Sequence, residues 1–192
     1  MVENPSERKW IIAAMKGDDD AFACLVEVYQ RPVFNLCYRM LGDAAEAEDA
    51  SQEAFMKAYR ALKRYDPNRK LVNWLLSIAS NHCIDRLRKR RLKTTSFDDL
   101  MPGQMKPDPE PGPESRLSIE EGRQSVREML DKLQETDRAA IVMRYWYDMS
   151  YEEIAGSLNL TVSAVKSRLH RARRDMAKEF SQLPAMAFAS GG

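Results

Sequence analysis

The sequence predicts an all-α protein: two small helical domains joined by a proline-rich linker. Three observations predict this. Helix formers such as Ala, Leu, Met, Glu, Lys and Arg dominate a chain of 192 residues that holds only 8 glycines. Apolar residues recur at spacings of three and four on both sides of a central break. In that break stand Pro102, Pro107, Pro109, Pro111 and Pro113, five of the 9 prolines, with Gly103 and Gly112 among them. The division implied is a domain over 1–93, a flexible linker over 94–117, a domain over 118–181 and a disordered tail over 182–192. At about 3.1 Å per residue, an extended linker reaches roughly 70 Å. That is about two turns of duplex DNA.

Four helices are expected in the first domain. The first covers Ser6 to Lys16 and stops at Gly17. The second covers Ala21 to Leu41, with Phe22, Leu25, Val26, Tyr29, Val33, Leu36, Cys37 and Met40 on its apolar side. Pro32 should kink or break it, and Gly42 suits its C-cap. The third, Ala44 to Leu62, has Asp43 as N-cap and an apolar stripe of Ala47, Ala50, Ala54, Phe55, Ala58 and Leu62. The fourth runs from Leu71 to Leu92. The second domain should hold helices at Ser118–Gln134, Asp137–Tyr147, Tyr151–Leu158 and Val162–Phe180. Thr136 and Ser150 are suitable N-caps, and Ser150 with Glu153 forms an S-x-x-E capping box.

Composition narrows the functions. No apolar run approaches the roughly 18–20 residues needed to span a bilayer, so no membrane insertion is expected. The charged N-terminus is unlike a secretory signal. Cys24, Cys37 and Cys83 form no C-x-x-C pair and read as three buried thiols of a cytoplasmic protein. The only histidines are His82 and His170, and neither sits beside a carboxylate pair in sequence. No metal, cofactor or catalysis is therefore expected; a nuclease, for example, needs clustered carboxylates or a histidine site.

The net charge of +1 hides segregation. Residues 1–62 carry net −4, 63–95 net +8, 96–122 net −5, 123–160 net −2 and 161–192 net +4. Two basic islands on two expected helices suggest two contacts with a polyanion.

The C-terminal island reads as a helix-turn-helix over Ser150–Lys178. Ile154, Ala155 and Leu158 face inward on its first helix, and Ala155 is small where two helices cross. Asn159 sits in the turn and tolerates a positive φ; Thr161 caps the next helix. On that helix Val162, Val165, Leu169, Ala172 and Met176 form the buried stripe. The other face carries Ser163, Ala164, Lys166, Ser167, His170, Arg171 and Arg174, with Arg168 and Arg173 flanking. Short early residues let such a helix enter the major groove, and later cations hold phosphates.

The first island combines the loop Asp66-Pro67-Asn68-Arg69-Lys70 with a helix bearing Trp74 and Asn81. That helix ends in Arg86, Arg88, Lys89, Arg90, Arg91 and Lys93. Cations beside base-sized pockets suit single-stranded DNA, although Trp74 taken alone reads as core. Between the helices rich in apolar residues, Glu46, Glu48, Asp49, Gln52 and Glu53 make a negative face that cannot favour DNA. It is either a solvated face or a protein-docking surface.

These residues resemble a known family. Ala47-Glu48-Asp49-Ala50-Ser51-Gln52-Glu53-Ala54-Phe55, Trp74-Leu75-Leu76-Ser77-Ile78-Ala79-Ser80-Asn81 and Asp85-Arg86-Leu87-Arg88 resemble region 2 of bacterial sigma factors. Ser150-Tyr151-Glu152-Glu153-Ile154-Ala155 and Val165-Lys166-Ser167-Arg168-Leu169-His170-Arg171-Ala172-Arg173 resemble region 4. With no domain between them, the chain is similar to the extracytoplasmic function (ECF) group. The resemblance covers about Ala21–Leu92 and Arg123–Phe180. It departs at Asn73, where Phe or Ala commonly precedes the Trp, and in the many prolines of the linker.

The resemblance implies a subunit that directs core RNA polymerase to promoters and assists melting. Asp49, Gln52, Glu53 and Phe55 would dock on the β′ clamp helices. Asp66, Asn68, Arg69, Lys70, Trp74, Asn81, Arg86, Arg88 and Lys89 would read the promoter −10 element and capture a flipped base. Thr161, Ser163, Ala164, Lys166, Ser167, Arg168 and Arg171 would read the −35 element as duplex. The β flap and an anti-sigma factor are further implied partners. The alternative is an autonomous helix-turn-helix regulator, against which the acidic Asp49–Glu53 face argues.

Overall fold

The computed structural model describes residues 6–67, 69–96 and 124–182. Every regular element among them is helical. The order is α1 (Glu7–Met15), α2 (Asp19–Leu41), α3 (Ala44–Ala61) with a 3₁₀ turn at Leu62–Arg64, and α4 (Leu71–Ser96). Then come α5 (124–131), α6 (Glu135–Trp146), α7 (Tyr151–Leu158) and α8 (Val162–Gln182). Most of the expected linker, the start of the helix expected at Ser118, Asn68 and the tail lie outside the described residues. Residues 94–96, assigned to the linker, continue α4 instead.

Local chemistry sets the helix ends. The Asp18 side chain accepts from Ala21 N at 2.9 Å, so α2 starts two residues before Ala21. Gly42 closes α2 at φ 80°, a left-handed conformation that a Cβ disfavours. Asp43 accepts from Glu46 N at 2.7 Å and starts α3. One expectation is narrowed and another needs correction. Pro32 does not break α2, which runs through it. The carbonyl that loses its partner belongs to Val28, a residue 40% exposed and therefore on the solvent side of the helix. Burial of Tyr29, Val33, Leu36 and Cys37 on the opposite side outweighs the roughly 3 kcal/mol helix penalty of proline. Thr136 is not an N-cap: Gln134 takes that place and Thr136 lies in the first turn of α6.

α1 to α4 form a bundle around Leu25, Leu36, Met40, Leu62 and Leu76, all fully buried. The inner face of α3 is alanine at 47, 50, 54 and 58, which lets α2 and α4 approach it closely. α5 to α8 enclose Leu130, Ile141, Met143, Met149 and Ile154. The two halves do not stand apart, because their buried apolar residues form one continuous cluster. α6 lies against α2 and α4, and α7 lies against α4. Buried Arg138 of α6 donates to the Met40 carbonyl at the end of α2 (2.7 Å) and to Asp131 (2.8 Å). Tyr147 donates its hydroxyl to the Pro32 carbonyl (2.6 Å). Arg39 stacks over Trp146 at 5.1 Å, and Arg127 bonds and stacks on Tyr38.

Candidate nucleic-acid and protein interfaces

The helix-turn-helix forms as its caps require. The Ser150 hydroxyl accepts from Glu153 N (3.1 Å), and the Glu153 carboxylate accepts from Ser150 N (2.8 Å). Asn159 closes α7 at φ 53°. The Thr161 hydroxyl accepts from Ala164 N at 3.1 Å and starts α8. Val165, Leu169 and Ala172 are buried, which turns Ser163, Lys166, Ser167 and His170 to solvent and leaves Ala164 half-buried. Lys166 lies over the Tyr151 ring at 5.7 Å. Arg168 and Arg171 are held from behind: both bond the carboxylate of Asp137, whose side chain is 3% exposed. Spacing could not reveal this, since Asp137 lies 31 and 34 residues away.

On α4, Trp74 is half-buried and tilted against Tyr65, centroids 4.9 Å apart. The Tyr65 hydroxyl bonds the Arg69 carbonyl and ties down the loop before α4; burial, chiefly, pushes that phenol up to about 12. Asp66, Arg69 and Lys70 are exposed on this loop, and Arg86, Arg88 and Lys89 sit one to two turns beyond Asn81. The face is engaged by the other half of the chain. Asn73 donates to Glu153 Oε1 at 2.6 Å, and Asn81 donates to the Ser157 carbonyl at 3.0 Å. Arg88 reaches the Thr136 hydroxyl at 3.4 Å. A cavity of about 320 Å³ remains between α4 and α7, lined by Arg69, Lys70, Asn73, Trp74, Glu153 and Ser157.

On α3, Asp49, Gln52 and Glu53 are exposed and Phe55 is half-buried. Beside them a groove of about 390 Å³ opens between α2 and α3, lined by Val26, Gln30, Phe34, Ser51, Gln52 and Phe55. The α2 side of this groove escaped the sequence reading, because Val26 and Phe34 there look like ordinary core positions. Met56 and Tyr59 continue the surface at 48% and 44% exposed.

The cysteines also need correction. Cys37 and Cys83 are fully buried and in mutual contact, but Cys24 is only half-buried. The Cys83 thiol is pushed up by its hydrogen bond to Cys37 and by burial. Among the described residues no group of three His, Cys, Asp or Glu side chains is placed to hold a metal ion, and no helix is long and apolar enough to cross a membrane.

A capped helix-turn-helix with a cationic second helix, packed on a bundle bearing another cationic helix, defines a DNA-binding protein of the helix-turn-helix class. Residues 25–93 match Sigma-70 region 2, and residues 123–176 match Sigma-70, region 4. The ECF RNA polymerase sigma factor SigW of Bacillus subtilis is 37% identical over 183 residues, 92% of this chain and 97% of the relative. The ECF RNA polymerase sigma-E factor of Escherichia coli K12 is 34% identical over 181 residues, 90% of this chain and 93% of the relative. The solved structure of CnrH in complex with the cytosolic domain of CnrY superposes with a TM-score of 0.68 at 26% identity, covering 93% of this chain and 99% of that one. The sigma factor RpoE of Bartonella quintana, solved with the anti-sigma factor NepR, shares the fold at a TM-score of 0.67 and 21% identity, covering 85% of this chain and 98% of that one. The chain belongs to the sigma-70 family, in its ECF group, and is a sigma factor that directs RNA polymerase to promoters.

Proposed function

We propose that this sigma factor uses three separate surfaces, in the cytoplasm and with no catalysis of its own. The α3 face of Asp49, Gln52, Glu53 and Phe55, with the adjoining α2–α3 groove, docks on the β′ clamp of core polymerase. The α4 face, with Asp66, Asn68, Arg69, Lys70, Trp74, Asn81, Arg86, Arg88 and Lys89, takes the melted −10 strand. The α8 face, with Thr161, Ser163, Ala164, Lys166, Ser167, Arg168 and Arg171, enters the −35 major groove. A contact of the second domain with the β flap completes the assembly, and an anti-sigma factor restrains it.

One observation carries this reading: chemistry of three kinds sits on three different helices. An acidic face with an apolar groove suits a protein. A helix with Asn, Trp and cations suits unstacked bases. A helix with short residues ahead of anchored arginines suits duplex. The bonds of Asn73 and Asn81 to α7 belong to the free chain. Loading onto polymerase separates the halves and frees the −10 face.

Core polymerase with this chain is expected to give promoter-dependent transcripts from genomic templates, and their absence sinks the reading. Asp49→Ala combined with Gln52→Ala is expected to weaken core binding while leaving duplex binding by the second domain unchanged. Equal core affinity of variant and parent refutes the docking assignment.

A further inference from the structure

We propose that Asp137 is a positioning residue for −35 recognition: it fixes the guanidinium groups of Arg168 and Arg171 so that their outer edges meet the duplex. The inference rests on the duplex-reading role proposed for α8. Arg168 Nη1 meets Asp137 Oδ1 at 2.7 Å, while Arg171 Nε and Nη2 meet Oδ2 at 2.9 and 2.5 Å. The carboxylate side chain is 3% exposed, whereas Arg168 and Arg171 remain 31% and 47% exposed. The carboxylate is therefore spent inside the domain, and the arginines bridge from it to the surface.

Geometry explains the choice of residues. Asp137 lies in the first turn of α6, where the helix favours negative charge. Arg168 and Arg171 are three apart on α8, so their side chains leave the same side of the helix. A guanidinium is a planar fork with five N–H donors. Arg171 uses two groups on one edge for Asp137 and keeps the other nitrogen, Nη1, for an acceptor outside. Arg168 uses Nη1 and keeps Nε and Nη2. A fork clamped along one edge has lost its rotamer freedom before DNA arrives, so less ordering opposes a directed bond to a base edge or phosphate. The carboxylate also cancels one of the two positive charges. That lowers attraction to any duplex while preserving directed bonds to the right one.

The test uses the full chain assembled with core polymerase. Wild-type holoenzyme first selects its −35 sequence from a random duplex pool, and binding to that duplex and to a shuffled one is then measured across salt concentrations. For Asp137→Asn, the preference for the selected over the shuffled duplex is expected to fall about tenfold. Binding to the shuffled duplex tightens, and its salt slope steepens by about one unit. Asp137→Glu restores part of the preference. A purely structural role predicts that both affinities fall together with helicity, which overturns the proposal, as does an unchanged preference. If Asp137→Asn does not fold, Asp137→Glu carries the test, because it keeps the charge but moves the carboxylate by one methylene: it is expected to lose part of the preference with its salt slope unchanged, and an unchanged preference overturns the proposal. A wild-type holoenzyme that selects no duplex sequence refutes the parent reading, and this inference with it.

Discussion

Arg138→Met probes how firmly the two halves of the chain hold each other. Arg138 is 4% exposed, and its Nη1 donates to the Met40 carbonyl at 2.7 Å and to Asp131 at 2.8 Å. Met40 lies in the last turn of α2, where carbonyls lack helical partners and the helix end is partly negative. A hydrogen bond to a charged group contributes about 1.5–3 kcal/mol, and the helix end adds up to about 2 kcal/mol. Against this stands the cost of burying a guanidinium. Burial, chiefly, lowers its pKa, and Nε is buried without a partner. Methionine keeps the apolar stem and removes that cost, but leaves the Met40 carbonyl unpaired at about 1–3 kcal/mol. Asp131 is half-exposed and returns to water. The net expectation is a loss of about 1–3 kcal/mol. In a chain of this size that lowers Tm by roughly 2–12 °C. Calorimetry of the full chain reads this shift, and small-angle scattering reads a larger radius of gyration as the halves separate. A Tm equal to or above that of the parent, with unchanged radius, would falsify the reasoning by showing that desolvation outweighs both bonds.

Two further outcomes are expected. Ser150→Ala removes half of the capping box and should cost about 1 kcal/mol, read as faster amide exchange over residues 151–155. His82 accepts from Lys57 Nζ at Nδ1 (2.7 Å), and burial, then Lys57 and Arg86, hold its pKa below 6.5. The unfolded chain therefore takes up the proton first as pH falls below 6.5. The His82 contribution is present above that pH and is lost as pH falls through the folded pKa. Denaturant unfolding at pH 7.5 and 5.5 should show a smaller acid loss for His82→Gln than for the parent, and equal losses refute the assignment.

The helix-turn-helix was legible in the sequence because what defines it is local. Ser150 and Glu153 are three residues apart, as are Thr161 and Ala164, and a positive φ at Asn159 needs only that residue's tolerance. The alanine stripe of α3 follows from periodicity for the same reason. Local rules failed where distant packing outweighed them. Pro32 stays inside α2 because the bundle buries residues on either side of it, and α6 starts at Glu135 although Thr136 is the better capping residue. What only the tertiary structure decided is which charges meet. Asp137 finds two arginines on α8, Arg138 finds the end of α2, and Asn73 finds Glu153 across 80 residues. Each of these bonds is worth little in water and much when shielded, so each exists only once the apolar faces have closed around it.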